Sequence, residues 1–401
     1  MVKKFGFPIV AFLLARCVSC ADGGSPGGSS DSGILATLEL DAAYPEAFSY
    51  LSGVRELPDG RLFAADPLSQ VLLRVDMDGE TADTLGRVGE GPGEYQQPDA
   101  VFPLPGDSTL LVDIGKTYLT VMGPDGGFHG GQSMALPSEE GIPTVIIPNA
   151  VDGSGRIYYQ GMGGMRDGPQ DSISVSRYDR TTNSSEVIVQ AWRTEPVITR
   201  SGDNVSMSRP RMVPNDDWAV GEDGRVAVVR ANGYFVQWIM PDGSVITGPE
   251  TPFEAIGISR AHKEANLEES SSAGLSIAVM MTSSGGTSMQ MSRGGGGMRM
   301  GGDGPTVDGE TWGETFPPFR DRSARVSPAN DLWVQRWLPA NRDPRMDIFG
   351  PDGVRKGSVV TPRGAELIGF GRGPGGADRA YFVRTDEVGL HWLERYRIVW
   401  Q

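Results

Sequence analysis

Cysteine is nearly absent from this chain of 401 residues: Cys17 and Cys20 are the two it has, both near its start. Beyond them a disulfide framework, a thiolate metal site and a cysteine nucleophile are excluded. Histidine is scarce too, with His129, His262 and His391, so histidine-dependent chemistry has few groups to draw on. Positive charge is in deficit, 36 basic against 51 acidic residues for a net −15. That balance argues against nucleic acid or an anionic bilayer face as a partner. Long hydrophobic runs are missing; the apolar stretch Phe5 to Ala15 is too short to span a bilayer as a helix. No H-E-x-x-H motif occurs, and no G-x-S-x-G elbow follows a strand; the one match to that spacing, GGSPG (23–27), falls in the glycine- and serine-rich stretch near the start.

What stands at the start reads as an export signal. Lys3 and Lys4 precede the apolar stretch, and Val18-Ser19-Cys20 resembles the tail of a bacterial lipoprotein cleavage box. Cys17 stands where that box usually carries an aliphatic residue. Residues 1–20 are therefore expected to be a signal peptide of lipoprotein type, with lipidation at Cys20. Residues 21–33, ADGGSPGGSSDSG, are expected to be a flexible tether. The expected location is the bacterial cell envelope, either membrane-anchored through that lipid or periplasmic or extracellular.

The rest of the chain repeats itself. LPDGRLFAAD leads into VLLRVDMDGE, LPGDSTLLVD into YLTVMGPDGG, and GSGRIYYQG into ISVSRYDRTT. GEDGRVAVVR leads into YFVQWIMPDG, SPANDLWVQR into RMDIFGPDGV, and GADRAYFVR into LHWLERYRIV. Each unit holds a tight turn, a short apolar strand and an alternating strand. Asp-Gly pairs mark turns because glycine adopts their positive φ. With Gly60, Asp107, Gly155, Gly224, Asn330 and Asp378 as equivalents, the intervals are 47, 48, 69, 106 and 48. A base period near 47 fits a four-stranded propeller blade, and the two long intervals mark insertions at about 183–215 and 253–312. The expected fold is an all-β, six-bladed propeller over residues 34–401. ILATLELD (34–41) is left to close the ring by pairing with the last blade, so that no sheet edge stays open.

At this point the chain resembles the NHL-type six-bladed propellers, in particular a bacterial exported branch of unassigned role. GEGPGEYQQP matches the G-x-GPGEF-x-x-P element of that branch, and LWVQR, DIFGPDG and DEVGLHWLERYRI echo its closing blades. The resemblance spans about residues 34–401 apart from the insertions. It implies the fold and little about function, since propellers host unrelated activities. The same residues exclude a phosphate loop. GRVGEGPGEYQQP (86–98) has no Lys-Ser/Thr pair and is followed by strand and turn rather than helix, so it reads as a connector between blades.

Two sets of residues are candidates for chemistry. The residue closing the strand after each turn forms a column of Asp66, Asp113, Gly161, Arg230, Arg336 and Arg384. Arg230, Arg336 and Arg384, with Asp66 and Asp113 opposite, suit an anionic ligand through forked hydrogen bonds; the plainer reading pairs them structurally. This resemblance implies that the aspartate commonly caps a blade turn. Some relatives with the fold are metalloenzymes, lactonases and an amidating lyase among them. The matching candidates at the starts of the innermost strands are Asp99, Asn149 and Asp217, without a full ligand set.

The longer insertion adds a third set. FEAIGISRAHKEANLEESS suggests an amphipathic helix with Ile256, Ile258, Ala261, Ala265 and Leu267 near one side. After it comes a glycine- and serine-rich stretch, expected to be disordered in part, that gathers Met280, Met281, Met289, Met291, Met298 and Met300. Met289, Met291, Met298 and Met300 have the M-x-M spacing of a Cu(I) site, with Arg299 against it. Trp218, Trp238, Trp312, Trp333, Trp337 and Trp392 read as packing between blades rather than a stacking surface.

The sequence reading is thus a non-enzymatic, monomeric binding or scaffold propeller without a cofactor. Its expected partner is a protein segment, peptide, anionic small molecule or glycan on one face. The alternatives are a metal-dependent hydrolase or lyase in the central channel, with calcium, or a copper protein through the methionines.

Overall fold

The computed structural model describes residues 33–136, 144–161, 171–201, 204–272, 275–281, 287–293 and 306–401. The leader, Cys20 and nearly all of the tether lie outside the described residues. Within them the chain is all-β, with one helix, Arg260–Ser272.

The repeated units fold as meanders. The first comprises Val54–Glu56, Leu62–Asp66, Val71–Asp76 and Thr81–Thr84, and the second Pro98–Pro103, Thr109–Asp113, Tyr118–Met122 and Phe128–Ser133. The third is Ala150–Val151, Ile157–Gln160, Ser172–Asp179 and Ser184–Trp192; the fourth is Asp217–Val220, Val226–Arg230, Phe235–Ile239 and Val245–Thr247. Beyond these four sheets lies one of eight strands. Arg325–Val326, Leu332–Gln335, Arg345–Phe349 and Arg355–Val360 form one half; Ile34–Ala43, His391–Trp400, Asp378–Thr385 and Ala365–Arg372 continue it in that order.

One turn geometry recurs at all six connections from an innermost strand to the next strand. An N–H donates across the turn to the carbonyl four residues on: Leu57 to Arg61, Leu104 to Ser108, Asp152 to Arg156, Gly221 to Arg225, Ser327 to Asp331 and Gly373 to Ala377. The residue before each acceptor needs positive φ: Gly60 (86°), Asp107 (58°), Gly155 (81°), Gly224 (83°), Asn330 (63°) and Gly376 (81°). The sixth equivalent is therefore Gly376, not Asp378. Two consecutive glycines in GPGGAD let the tight turn sit two residues earlier than the strand alignment suggests.

The strand after each of these turns is buried on both faces, which is why it reads as a short unbroken apolar run. Leu62 and Ala64 face the sheet before, while Phe63 and Ala65 face the sheet after. The same alternation puts Leu111 on the first sheet and Leu110 and Val112 on the third, then Tyr158 on the fourth, and Ala227 and Val229 on the half that follows. Trp333 fills the seam inside the eight-stranded sheet, and Tyr381 and Val383 return to the first sheet. Five hydrophobic clusters thus join each sheet to the next and the last to the first, and a sixth fills the seam within the eight-stranded sheet. The arrangement is propeller-like and closed.

Closure differs in one detail from six separate blades. Ile34–Ala43 pairs antiparallel with His391–Trp400 and touches Arg355–Val360 in parallel at Ile34↔Ser358 and Ala36↔Val359, which fuses two four-stranded halves into one sheet.

The insertions are also redrawn. Ser184–Trp192 belongs to the third sheet, because Val187, Val189 and Ala191 alternate in register with Ser172–Asp179; the insertion starts after it and contains the hairpin Val197–Ser201/Asn204–Ser208. In the longer insertion, Ile256 and Ile258 are not helical. Phe316 N–H donates to the Ile256 carbonyl, and Ile258 N–H to that of Glu314. Ser259 caps the helix, its hydroxyl accepting from His262 N–H at 3.3 Å. The half-buried stripe is His262, Lys263, Asn266, Leu267 and Ser270; Ala261 and Ala265 are exposed. Leu275–Met281 and Thr287–Arg293 pair as a hairpin within the stretch expected to be disordered in part.

The glycine-rich connector carries its own anion. Glu94 accepts from Gly91 N–H at 2.6 Å and from Arg87 Nε at 2.7 Å, and a Cβ on Gly89 or Gly91 would collide with this carboxylate. Lys116 Nζ donates to the Glu94 carbonyl at 2.9 Å. Buried Tyr95 then anchors the crossing, its hydroxyl accepting from Leu72 N–H at 3.2 Å.

Candidate functional site: the mouth of the bore

The residues of the arginine column are spoken for. Arg230 donates to Asp216 Oδ2 and Gln237 Oε1, both at 2.7 Å, and to the Gln190 carbonyl at 2.9 Å. Arg336 pairs with fully buried Asp347 at 3.2 Å and lies over the Tyr234 ring. Arg384 forks onto Glu394 at 3.0 and 3.1 Å. Their acidic counterparts cap backbone. Asp66 accepts from Ser49, Leu68 and Ser69 N–H, and Asp113 from Gln96, Gln97 and Lys116 N–H. In the fourth sheet that capping passes to Asp216, which accepts from Trp192 and Ala231 N–H and leaves the strand end to Arg230. The column is brought to equivalent places in successive units, but as structural pairs and caps.

A different constellation gathers where the innermost strands begin. These strands run side by side around the ring, Ala365–Arg372 against Val54–Glu56, then Pro98–Pro103, Ala150–Val151, Asp217–Val220 and Arg325–Val326. Pro98 pairs with Asp113 and Ala100 with Val112, so Asp99 is the extra residue of a β-bulge. A bulge re-aims a side chain, and the cost in pairing is commonly met next to functional sites. Ser52 Oγ donates to the Asp99 carbonyl at 3.3 Å. The half-buried Asp99 carboxylate itself accepts no hydrogen bond from the described residues. Burial alone pushes its pKa up to about 6.

Its neighbours complete a charged rim. Tyr50 has its phenol pushed up to about 12 by burial first, then by the charges of Asp99 and Glu366, with Arg322 and Arg325 opposing. Tyr50 also packs on His391 with ring centroids 5.0 Å apart. Arg325 Nη1 donates to the carbonyls of Arg322 and Ala324, and Nη2 stands 4.0 Å from Glu366. Farther round, Asn215 Nδ2 donates to Asp321 Oδ2 at 3.0 Å, with Arg193 3.8 Å away. Burial raises the Asp321 pKa, Arg193 opposes this and Asp217 adds to it.

The three metal candidates do not act together. Asn149 is exposed and its amide oxygen accepts from Gln160 N–H at 3.1 Å. Asp217 is buried and uses both oxygens on backbone, Trp218 and Ala324 N–H at 2.9 Å each, clipping the fourth sheet to the next; burial raises its pKa against those two bonds. Among the described residues no group of three or more His, Cys, Asp or Glu is placed to hold a metal. Of the copper candidates, Met289 pairs with Val279 and Met291 with Ile277 across the hairpin, while Met298 and Met300 lie outside the described residues. Among the tryptophans, Trp218, Trp238 and Trp333 are core; Trp312 lies under Arg211 and Lys263, Trp337 under Arg320, and Trp392 donates to Asp386.

Asp99 was legible as an acidic residue at the start of an innermost strand. Tyr50, Arg193, Asp321, Arg322, Arg325 and Glu366 were missed, because they come from four stretches far apart in the chain, loop and strand alike, and no local motif links them.

The Asp99 environment has a measurable consequence. A carboxyl whose folded pKa is raised contributes stability below its ordinary value near 3.8 and loses it as pH rises through about 6. Asp99→Asn cannot ionise, so it is expected to be more stable than the parent at neutral pH. Its advantage should grow by on the order of 1 kcal/mol between about pH 5 and pH 8, read from urea midpoints at each pH. An advantage that does not change with pH contradicts the desolvated carboxylate.

Closed ring, sheets and rim together define an all-β, propeller-like protein. No protein-family model matches the sequence, and no curated protein matches it. Among solved structures the chain is similar to a member of the duf4221 family from Bacteroides vulgatus, at 10% identity and TM-score 0.44, over 92% of this chain and 97% of that one. It is also similar to the calcium-binding protein regucalcin from Agrobacterium tumefaciens, at 9% identity and TM-score 0.39, over 92% and 98%. A third is virginiamycin B lyase from Staphylococcus aureus, at 11% identity and TM-score 0.38, over 91% and 99%.

Proposed function

We propose that the chain is a six-bladed binding propeller that holds a peptide segment at the mouth of its bore, with Asp99 as the polar anchor. Six equivalent turns, five clusters between sheets and a sixth at the seam of the eight-stranded sheet support the blade number, with that sheet counted as two blades joined at Ile34–Ala43. The observation that carries the function is the Asp99 carboxylate: set on a bulge, recessed, and without a hydrogen bond from the described residues. A carboxylate left so poorly served is costly to keep, and a ligand ammonium or amide donor would repay it. The ligand class therefore shifts from an anion on the arginine column to a donor-bearing peptide end or lysine at the rim.

The test is calorimetric titration of the full chain with short peptides carrying a free amino terminus or a lysine. Binding is expected near pH 8, about tenfold or more weaker after Asp99→Asn, and weaker near pH 5, where Asp99 takes up its proton. Affinity indifferent to Asp99→Asn, or no peptide bound, overturns the reading. One observation favours a second reading: a carboxyl titrating near 6 suits a general acid or base. Turnover of an ester or lactone that is lost in Asp99→Asn would make the mouth an active site.

A further inference from the structure

Arg55 is the most anomalous charged group in the chain. It is the central residue of the innermost strand Val54–Glu56 and is 6% exposed. Arginine this deep is ordinarily paired. Here the guanidinium donates to no described residue, and its Nε and Nη1 are sealed from solvent without an acceptor. The adjacent carboxylate does not serve it: Glu56 turns to the opposite side of the strand, where its Oε1 accepts from Arg379 at 2.7 Å and its buried Oε2 has no hydrogen bond. The charge that acts on Arg55 is Asp107, on the exposed turn of the second sheet, and no hydrogen bond joins them. Burial loosens the hold of Arg55 on its proton, and Asp107 opposes this in part.

Strand alternation fixes where the group lies. Val54 packs in the cluster that faces the final meander, and Glu56 pairs toward the same side. Arg55, between them, turns to the other side, where the innermost strands of the first and second sheets run together. Ser52, which reaches the Asp99 carbonyl, lies in the bend before this strand, and Arg55 comes three residues later, at most roughly 10 Å away at about 3.3 Å per extended residue. The two groups belong to different innermost strands, Arg55 to that of the first sheet and Asp99 to that of the second.

We propose that Arg55 is the recognition residue of an oxyanion subsite at the innermost strands of the first and second sheets, taking a carboxylate or phosphate group. A guanidinium offers a planar fork of donors that matches either group with two parallel hydrogen bonds. Small size is required, since so little of the residue is open to solvent.

The experiment compares the full chain with Arg55→Met and Arg55→Lys in a buffer free of oxyanions, then titrates inorganic phosphate and, separately, acetate. Melting temperature and calorimetric affinity are read. Phosphate or acetate is expected to raise the parent's melting temperature saturably and to leave Arg55→Met unmoved; which anion acts distinguishes the two sources. Arg55→Lys keeps the charge but loses the fork, and its affinity is expected to fall at least tenfold. In the oxyanion-free buffer Arg55→Met should melt above the parent, because a buried charge without an acceptor has been removed. Equal anion shifts in parent and variant, or neither anion bound by the parent, overturn the proposal. So does an Arg55→Met protein that melts lower in the oxyanion-free buffer, since the guanidinium would then have partners within the chain.

Discussion

Deleting residues 34–43 is expected to abolish cooperative folding of the ring. Ile34–Ala43 is the outermost strand against His391–Trp400, with register pairs from Ala36↔Trp400 to Ala43↔Glu394. At about 0.5–1.5 kcal/mol for each ladder hydrogen bond, this edge is worth on the order of 5 kcal/mol. Fully buried Ala36 would leave the seam beside Trp333, and Arg395, 2% exposed, would lose its 2.6 Å bond to Asp41. That sum rivals the whole stability of a typical domain. The naked edge of His391–Trp400 would then offer unpaired backbone to other copies. Size-exclusion chromatography and urea unfolding are the readouts, with aggregation or a broad, early transition expected. Adding a synthetic peptide of residues 33–43 should restore the parent's transition by supplying the strand in trans. A deletion that unfolds at the parent's urea midpoint would show that closure rests on the other strands alone.

That strand also shows what could be read before any coordinates. A terminal strand with no partner in its own unit, and a last unit short of one outer strand, imply each other by counting. The turns were legible for a similar reason: positive φ demands Gly, Asn or Asp, and those residues recur at blade spacing. In GPGGAD the register slipped by two residues, since Asp378 meets the same residue-type rule as the Gly376 that takes the positive φ. Structural pairing of the arginines was a reading the sequence allowed, but their partners were not legible. Arg230 and Asp216 are 14 residues apart, Arg384 and Glu394 are 10 apart, and Arg336 meets Asp347 beside a tyrosine of another sheet. Only folding puts those side chains at one level. Arg55 was hidden for the opposite reason. It occupies the middle of a strand like any apolar residue, and the failure to pair it is a fact about every neighbour at once.

Replacing Asp347 with alanine is expected to destabilise the fold by about 3–5 kcal/mol, the cost of leaving buried charge unmatched. Asp347 is fully buried in the strand Arg345–Phe349 and is the common partner of three groups. Tyr234 of the fourth sheet donates its hydroxyl to Oδ2 at 2.6 Å, and Arg336 Nη1 reaches the same oxygen at 3.2 Å. Arg355 Nη2 stands 2.8 Å from Oδ1, an ion pair without hydrogen-bond alignment. The carboxylate therefore joins two sheets and balances two guanidinium groups whose side chains are each 14% exposed. Arg336→Met should cost less, about 1–3 kcal/mol, because Asp347 keeps Arg355 and Tyr234. In the double variant the two losses should fall well short of their sum, since the second change removes a charge that the first has stranded. Urea midpoints of parent, single and double variants give this coupling directly. A loss below about 1 kcal/mol for Asp347→Ala would mean that water reaches the pair and screens it, and would return Arg336 to the list of residues free to meet a ligand. With the expected coupling, Arg336 belongs to the seam between sheets, which leaves the proposed binding positions at Asp99 and Arg55, two charged side chains without a hydrogen bond among the described residues.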